Sequence, residues 1–237
     1  MLRRLRLFPL NAVLFPGAVL NLHIFEARYK QMIDECLSTG EGFGVALIAE
    51  GAEAGDPNVT PHEVGSIAEI VDVQSLPFDR YFISTVGRQR FRICEIVSRE
   101  PYLMVEADVL EESDDDDEEI ARLNERVRAL FSEYLELIVE FSGSEAAVSL
   151  PDDPQSASFV VGDTLQIAEA IKQRLLELET TEKRLVAEED FLERLLPQLR
   201  RLLERRRKEL EARRERGEDI SYRPVQEKFF GKFFSPN

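Results

Sequence analysis

Residues 7–33, LFPLNAVLFPGAVLNLHIFEARYKQMI, constrain the fold more than any other stretch of the chain. Two short apolar runs, 7–10 and 12–15, lead into Pro16-Gly17. Proline presets a negative φ and glycine accepts a positive one, so this dipeptide is a turn signal. A third apolar run, 18–25, follows. From Glu26 onward Tyr29, Met32, Ile33 and Leu37 recur at three- and four-residue spacing, which places them on one face of a helix. Proline cannot donate to a sheet ladder, so Pro9 and Pro16 predict short strands, edges or bulges. The stretch reads as strand–turn–strand–helix, and most of its apolar residues read as core.

Further along, the glycines of 38–44 (STGEGFG) precede a strand-like VALI. A phosphate loop needs the opposite order, strand then glycines then helix, so these residues read as a helix stop and a turn. Residues 50–63 form a polar loop rich in glycine and proline, either functional or a tolerated insertion. The segments VGSIAEIVDVQSLP, RYFISTVGRQRFRICEIV and PYLMVEADVLEE are rich in β-branched residues and read as strands or hairpins. Arg88, Arg90 and Arg92 alternate with Gln89, Phe91 and Ile93, which predicts one basic strand face.

The run EESDDDDEE at 111–119 lacks the interleaved glycine of a calcium loop and reads as a solvated, self-repelling linker. A helical stripe follows from Ile120 to Phe141, carried by Leu123, Val127, Leu130, Phe131, Tyr134, Leu135 and Ile138. Residues 157–178 continue helically, with a break expected near Gly162-Asp163. Thr180-Thr181-Glu182 caps a last helix that runs to about Arg216. There Leu192, Leu195, Leu199 and Leu202 follow the a/d spacing of a coiled coil, and Pro197 predicts a kink or restart. The expected layout is a β-rich domain over 1–112, a linker over 113–119, a helical subdomain over 120–216 and a phenylalanine-rich tail over 217–237. In the tail, Phe229, Phe230, Phe233 and Phe234 are too apolar for a solvated terminus. They pack on the chain's own core or dock on a partner.

Charge and chemistry narrow the function. The chain has 237 residues and a formal net charge of −16, which disfavours general nucleic-acid binding. Two cysteines, Cys36 and Cys94, make no disulfide framework, and they are expected to be reduced and buried in a cytoplasmic protein. No apolar run reaches membrane-spanning length. The basic, apolar N-terminal stretch is interrupted by Pro9, Asn11 and Pro16 and reads as structure, not as a leader. His23 and His62 lack metal-ligand spacing, so no metal and no cofactor are expected. Neither a Gly-x-Ser-x-Gly elbow nor a Walker-type loop is present, which predicts a protein that is not an enzyme.

Several motifs together resemble the Lon N-terminal domain, the substrate-binding module of the ATP-dependent protease Lon. The opening stretch matches at Phe8-Pro9-Leu10, Val13, Phe15-Pro16-Gly17, Leu20, Leu22, Phe25 and Arg28. Val64-Gly65-Ser66-Ile67-Ala68-Glu69-Ile70, Gly87-Arg88-x-Arg90-Phe91-x-Ile93 and Glu100-Pro101-Tyr102-Leu103 continue the pattern, and the helices resemble the family's helical part. The resemblance implies an α+β fold, a PUA-like twisted β-barrel followed by a helical subdomain with a long last helix. It implies a stand-alone member without ATPase or peptidase domains, so that a protease name would reflect homology alone. The implied function is noncatalytic binding of unfolded or tagged protein segments, as an adaptor or chaperone-like binder. A separate protease or a second copy of the chain are further candidate partners. Peptide contacts are expected at Phe15, Pro16, Leu22, Phe25 and Phe43, with Arg28 at the rim. The alternative, RNA binding by a PUA-like barrel, would use Arg88, Arg90 and Arg92.

Overall fold

The computed structural model describes residues 2–52, 58–112, 118–143 and 148–216. The chain divides into two compact units. The first comprises Met1–Ser113, Gly162–Leu165 and Glu169–Leu178; the second comprises Asp114–Val161, Gln166–Ala168 and Glu179–Asn237.

The first unit is built on a mixed sheet. Its strands are β1 (Leu2–Leu10), β2 (Val19–Ile24), β3 (Phe43–Glu50), β4 (Thr60–Pro61), β5 (Val64–Leu76), β6 (Arg80–Ser98) and β7 (Leu103–Leu110). Helix α1 (Ala27–Thr39) lies between β2 and β3 in sequence, and α4 (Glu169–Glu177) returns to this unit from later in the chain. The strand path β1-β7-β6-β5-β3 closes on itself because β1 also pairs with β3, in parallel, from Leu7↔Gly44 to Leu10↔Leu47. The β-branched content of these segments accounts for their extended conformation, and closure of the ring removes the edges that a five-stranded path would otherwise expose.

Strand β2 stands outside this ring. It pairs antiparallel with β6 from Val19↔Val86 to Ile24↔Tyr81, while β6 pairs with β7 only from Arg90 onward. The exchange of partners falls at Gly87, where a Cβ atom would sit 2.1 Å from the Phe15 carbonyl oxygen. Only glycine admits so close an approach. Gly17, at φ +83°, closes the preceding turn and donates to the Gly87 carbonyl at 2.8 Å.

Helix α1 follows its predicted stripe at Tyr29, Met32 and Ile33, which pack with Phe8, Leu10, Ile24, Phe43 and Ile83. Phe8 stacks on Tyr29 with ring centroids 3.9 Å apart. Leu37, expected on that face, is exposed, and Cys36 takes its place. Strand β1 is longer than the prolines implied. Pairing with β7 ends at Leu7, so Pro9 leaves no β7 ladder bond unfilled. The run 12–15, read as a strand, is instead the connection to the turn.

Helix α4 is held to the sheet by buried polar contacts. Arg90 donates to the carbonyls of Leu176 at 2.6 Å and Leu178 at 2.5 Å, and it pairs with Glu112. Both side chains of that ion pair are only 3% exposed. Gln173 donates to the Val64 carbonyl at 2.9 Å, and Glu169 accepts from the Val13 amide at 2.8 Å.

The second unit contains α2 (Glu118–Ser142), most of α3 (Pro154–Thr164) and α5 (Thr181–Glu215). Glu118 and Glu119 stand in the first turn of α2, where the helix dipole favours carboxylates. Helices α2 and α5 run side by side in the same direction: Arg200 pairs with Glu133 and, seven residues on, Arg207 with Glu140. Their buried seam carries Leu123, Val127, Phe131, Tyr134 and Ile138 on α2, and Leu192, Leu195, Leu196, Leu199 and Leu203 on α5. Thr180 caps α5 by accepting from the Lys183 amide at 3.2 Å. The helix continues unbroken through Pro197, without the expected restart. The break expected near Gly162 falls later, at 165–168, since both Gly162 and Asp163 lie within α3. Beneath the seam Arg184 is fully buried, donates to the Ser158 hydroxyl at 2.7 Å and stacks 3.9 Å over the Phe159 ring.

Two outcomes follow from these buried charges. Arg90→Met removes the guanidinium that pairs with buried Glu112 and should cost about 3–5 kcal/mol in urea unfolding, part of which the added Glu112→Met change recovers. In the second unit neither carboxylate oxygen of buried Glu188 has a hydrogen-bond partner among the described residues. Desolvation pushes its carboxyl well above the ordinary value, with Arg184 only partly offsetting this. The unfolded chain ionises above its ordinary value of 4.5 while the folded chain stays protonated, so stability declines as pH rises. Glu188→Gln should therefore raise the Tm at pH 8 and have little effect below pH 4.5.

Candidate functional site

Where β6 leaves β7 for β2, the strands β2, β6 and β5 form a three-stranded sheet with an inner and an outer face. On the inner face Leu20, Leu22, Ile24, Ile70, Val73, Tyr81 and Ile83 belong to the α1 cluster. The period of two then places Val19, Asn21 and His23 outward. In register with them stand Val86, Ser84 and Phe82 of β6, and beyond those Glu69, Asp72 and Gln74 of β5. This outer face is therefore neutral on β2, apolar at Phe82 and Val86, and acidic along β5.

One end of this sheet is aromatic. Phe25 directly follows β2 and is 61% exposed; its ring lies 6.0 Å from that of His23. Because Ile24 pairs with Tyr81, the β5–β6 turn lies at the same end. That turn carries Phe78, which is 90% exposed. Phe78 and Asp79 both have positive φ, 63° and 56°, a conformation that costs a side-chain-bearing residue free energy. Local ties hold the turn in place. Lys30 pairs with Asp79, the Tyr81 hydroxyl donates to Asp34 at 3.0 Å, and Arg80 donates to the Pro77 carbonyl at 3.0 Å.

The residues expected to touch a peptide are dispersed between core and surface. Phe15 and Phe43 are fully buried: the Phe15 carbonyl lies against Gly87, and the Phe43 ring lies 6.2 Å from that of Phe8. Both are core residues: Phe43, on β3, packs in the cluster beneath α1, and Phe15 is buried in the connection between β1 and β2. Pro16 and Leu22 are half-buried. Arg28 pairs with Glu26 at 2.9 Å and lies 4.5 Å over the Tyr29 ring, at the rim of the aromatic end. Phe25 alone of the apolar set is largely exposed. Val19, Val71 and Phe78 were not anticipated. The alternation of VLNLHI could have identified Val19, whereas nothing in the sequence marks Phe78. The tail residues Phe229, Phe230, Phe233 and Phe234 lie outside the described residues.

The arginines of the RNA alternative do not form one basic face. Arg88 and Arg92 are exposed, Arg88 pairing with Glu69 at 2.5 Å, whereas Arg90 between them is buried under α4 with its donors engaged. Among the described residues no group of three or more His, Cys, Asp or Glu side chains could hold a metal ion. No helix there is long and apolar enough to cross a membrane. Burial pushes the Cys36 thiol up to about 11, so it is not a thiolate nucleophile at neutral pH. Cys94, in contrast to expectation, is exposed.

Comparison with known proteins agrees with this architecture. Residues 4–194 match the family described as the ATP-dependent protease La (LON) substrate-binding domain. A crystal structure of a Lon N-terminal domain protein from Xanthomonas campestris is 27% identical, with a TM-score of 0.59 over 78% of this chain and 96% of that one. The N-terminal domain of the Mycobacterium avium complex Lon protease shares the fold, with a TM-score of 0.58 at 19% identity over 81% of this chain and 98% of that one. Lon protease from Anaeromyxobacter dehalogenans is 28% identical over 172 residues, 70% of this chain and 20% of that protein. Lon protease 2 from Myxococcus xanthus is 30% identical over 132 residues, 55% of this chain and 16% of that protein. The chain thus spans at most 20% of the length of these two curated relatives. On the strength of the match across 4–194, the chain belongs to the Lon substrate-binding domain family.

Proposed function

We propose that this protein binds unfolded segments of other polypeptides without transforming them, and that the aromatic end of the β2–β6–β5 sheet is the recognition surface. The observation that carries this reading is Phe78, an almost fully exposed phenylalanine held at positive φ. Asparagine or glycine would occupy that conformation with less strain, so the aromatic ring stands there at a cost in local stability. Phe25 extends the apolar surface, and Arg28, paired with Glu26, and Arg80, over the Phe78 ring, stand at its rim. Leu22 and Phe43 pack in the cluster beneath this sheet, whereas Phe15 and Pro16 stand at its other end, by Gly87. Membership of a substrate-binding family supports the same reading. Delivery of the bound segment to a separate protease, as an adaptor would do, is the role into which such a surface fits.

Phe78→Asn separates binding from folding. It should stabilise the protein by about 1 kcal/mol, because the αL region suits asparagine better than phenylalanine. It should at the same time weaken capture of a permanently unfolded polypeptide about fivefold or more, the loss of one hot-spot aromatic. The combined readout is chemical denaturation and fluorescence anisotropy. Unchanged affinity in both Phe78→Asn and Phe25→Ser would refute the assignment.

A further inference from the structure

Among the described residues strand β2 has one side hydrogen-bonded and one side open. Its pairing with β6 begins where the Gly87 amide donates to the Ala18 carbonyl at 2.9 Å. In an antiparallel ladder the bonded pairs alternate, so Leu20, Leu22 and Ile24 direct their backbone groups at β6. The amides and carbonyls of Val19, Asn21 and His23 then point away from it. β2 pairs with no second strand among the described residues.

Open edges are normally guarded, and the other one in this small sheet is. Beyond its pairing with β3 at 66–68, β5 carries Glu69 and Asp72 and a register shift between Ile70 and Asp72. Charges and bulges of that kind discourage strand addition. β2 has neither: VLNLHI contains no charge and no proline, and its pairing shows no register shift. Its inner-face Leu20 and Leu22 also remain only partly buried. They leave apolar surface that a further strand would cover.

We propose that β2 accepts an extended segment of an unfolded polypeptide as an added strand. The segment is apolar at alternate positions, so that every second side chain covers Leu20 and Leu22. It is uncharged where it pairs, because the β2 edge offers no countercharge. Its flanks are basic, since a chain of net charge −16 attracts them. Backbone hydrogen bonds supply affinity without sequence preference, and the alternating contacts supply selection. This names the client of the surface proposed above and rests on that reading.

The test uses the full chain and a short lysine-flanked peptide alternating valine and threonine. Two N-methylated forms, one with the odd and one with the even amides blocked, keep the side chains and remove opposite sets of donors. One form should bind as well as the parent and the other about tenfold or more weaker. Amide exchange at Val19, Asn21 and His23 should slow on adding the parent peptide. Asn21→Pro removes an outward donor and no β6 bond, and should abolish binding. If that variant fails to fold, Val19→Lys serves the same end by charging the edge.

Equal binding of both N-methylated forms overturns the proposal, even where unfolded polypeptide is still captured through Phe25 and Phe78. Protection of the three amides before any peptide is added also overturns it. If that protection is independent of protein concentration, the chain's own tail is the occupant; if it rises with concentration, a second copy is. Loss of capture in Phe78→Asn with N-methyl discrimination retained would instead leave strand addition in place at β2 alone.

Discussion

The parallel pairing of β1 with β3 is the constraint on which the rest of the first unit depends. With Leu7–Leu10 laid along Gly44–Leu47, five strands form a circuit without ends. Strand β2 then has no place in the ring and can add only to β6, at the segment that β7 does not use. Closing one sheet therefore creates another, smaller one, in which β2 has no second partner among the described residues. The exposed Val19 and Phe25 lie on it or at its end because, among the described residues, no further strand covers them.

The second organising contact is ionic. Arg90 crosses from β6 to the last carbonyls of α4, 86 and 88 residues away in sequence, while Glu112 neutralises it. Burying such a pair is expensive in itself, and its contribution lies in geometry. A guanidinium with several fixed donors can hold two carbonyls and a carboxylate in one arrangement, which a leucine could not specify. The carbonyls at the end of a helix also attract a cation. In this way a helix encoded after the acidic run becomes part of the unit encoded before it.

Strain and exposure coincide at the β5–β6 turn. A positive φ at Phe78 and Asp79 persists because Lys30, Asp34 and the Pro77 carbonyl fix the residues around it. The ties through Lys30 and Asp34 run to α1, whose apolar side is committed to the core. The helix thus stabilises the inner face of the sheet and steadies the aromatic residues at its end. An exposed ring maintained against backbone preference has its simplest explanation in contact with another molecule.

The apolar spacing along the chain was enough to place β2, α1, the long β-rich middle, and the helices α2 and α5, because hydrophobic period and turn chemistry are local properties. The motifs from Phe8 to Leu103 were enough to indicate the family. Spacing alone could not say which apolar residue faces solvent. Phe15, Phe25 and Phe43 look alike in sequence, yet ring closure buries the first and third and leaves the second exposed. Nor could alternation reveal that Arg90 is roofed by α4 while Arg88 is not, since the covering helix comes from much later in the chain. The open side of β2 and the positive φ of Phe78 belong to tertiary structure alone: a strand's edge is free only when all other strands have found partners, and a turn's strain depends on what anchors it.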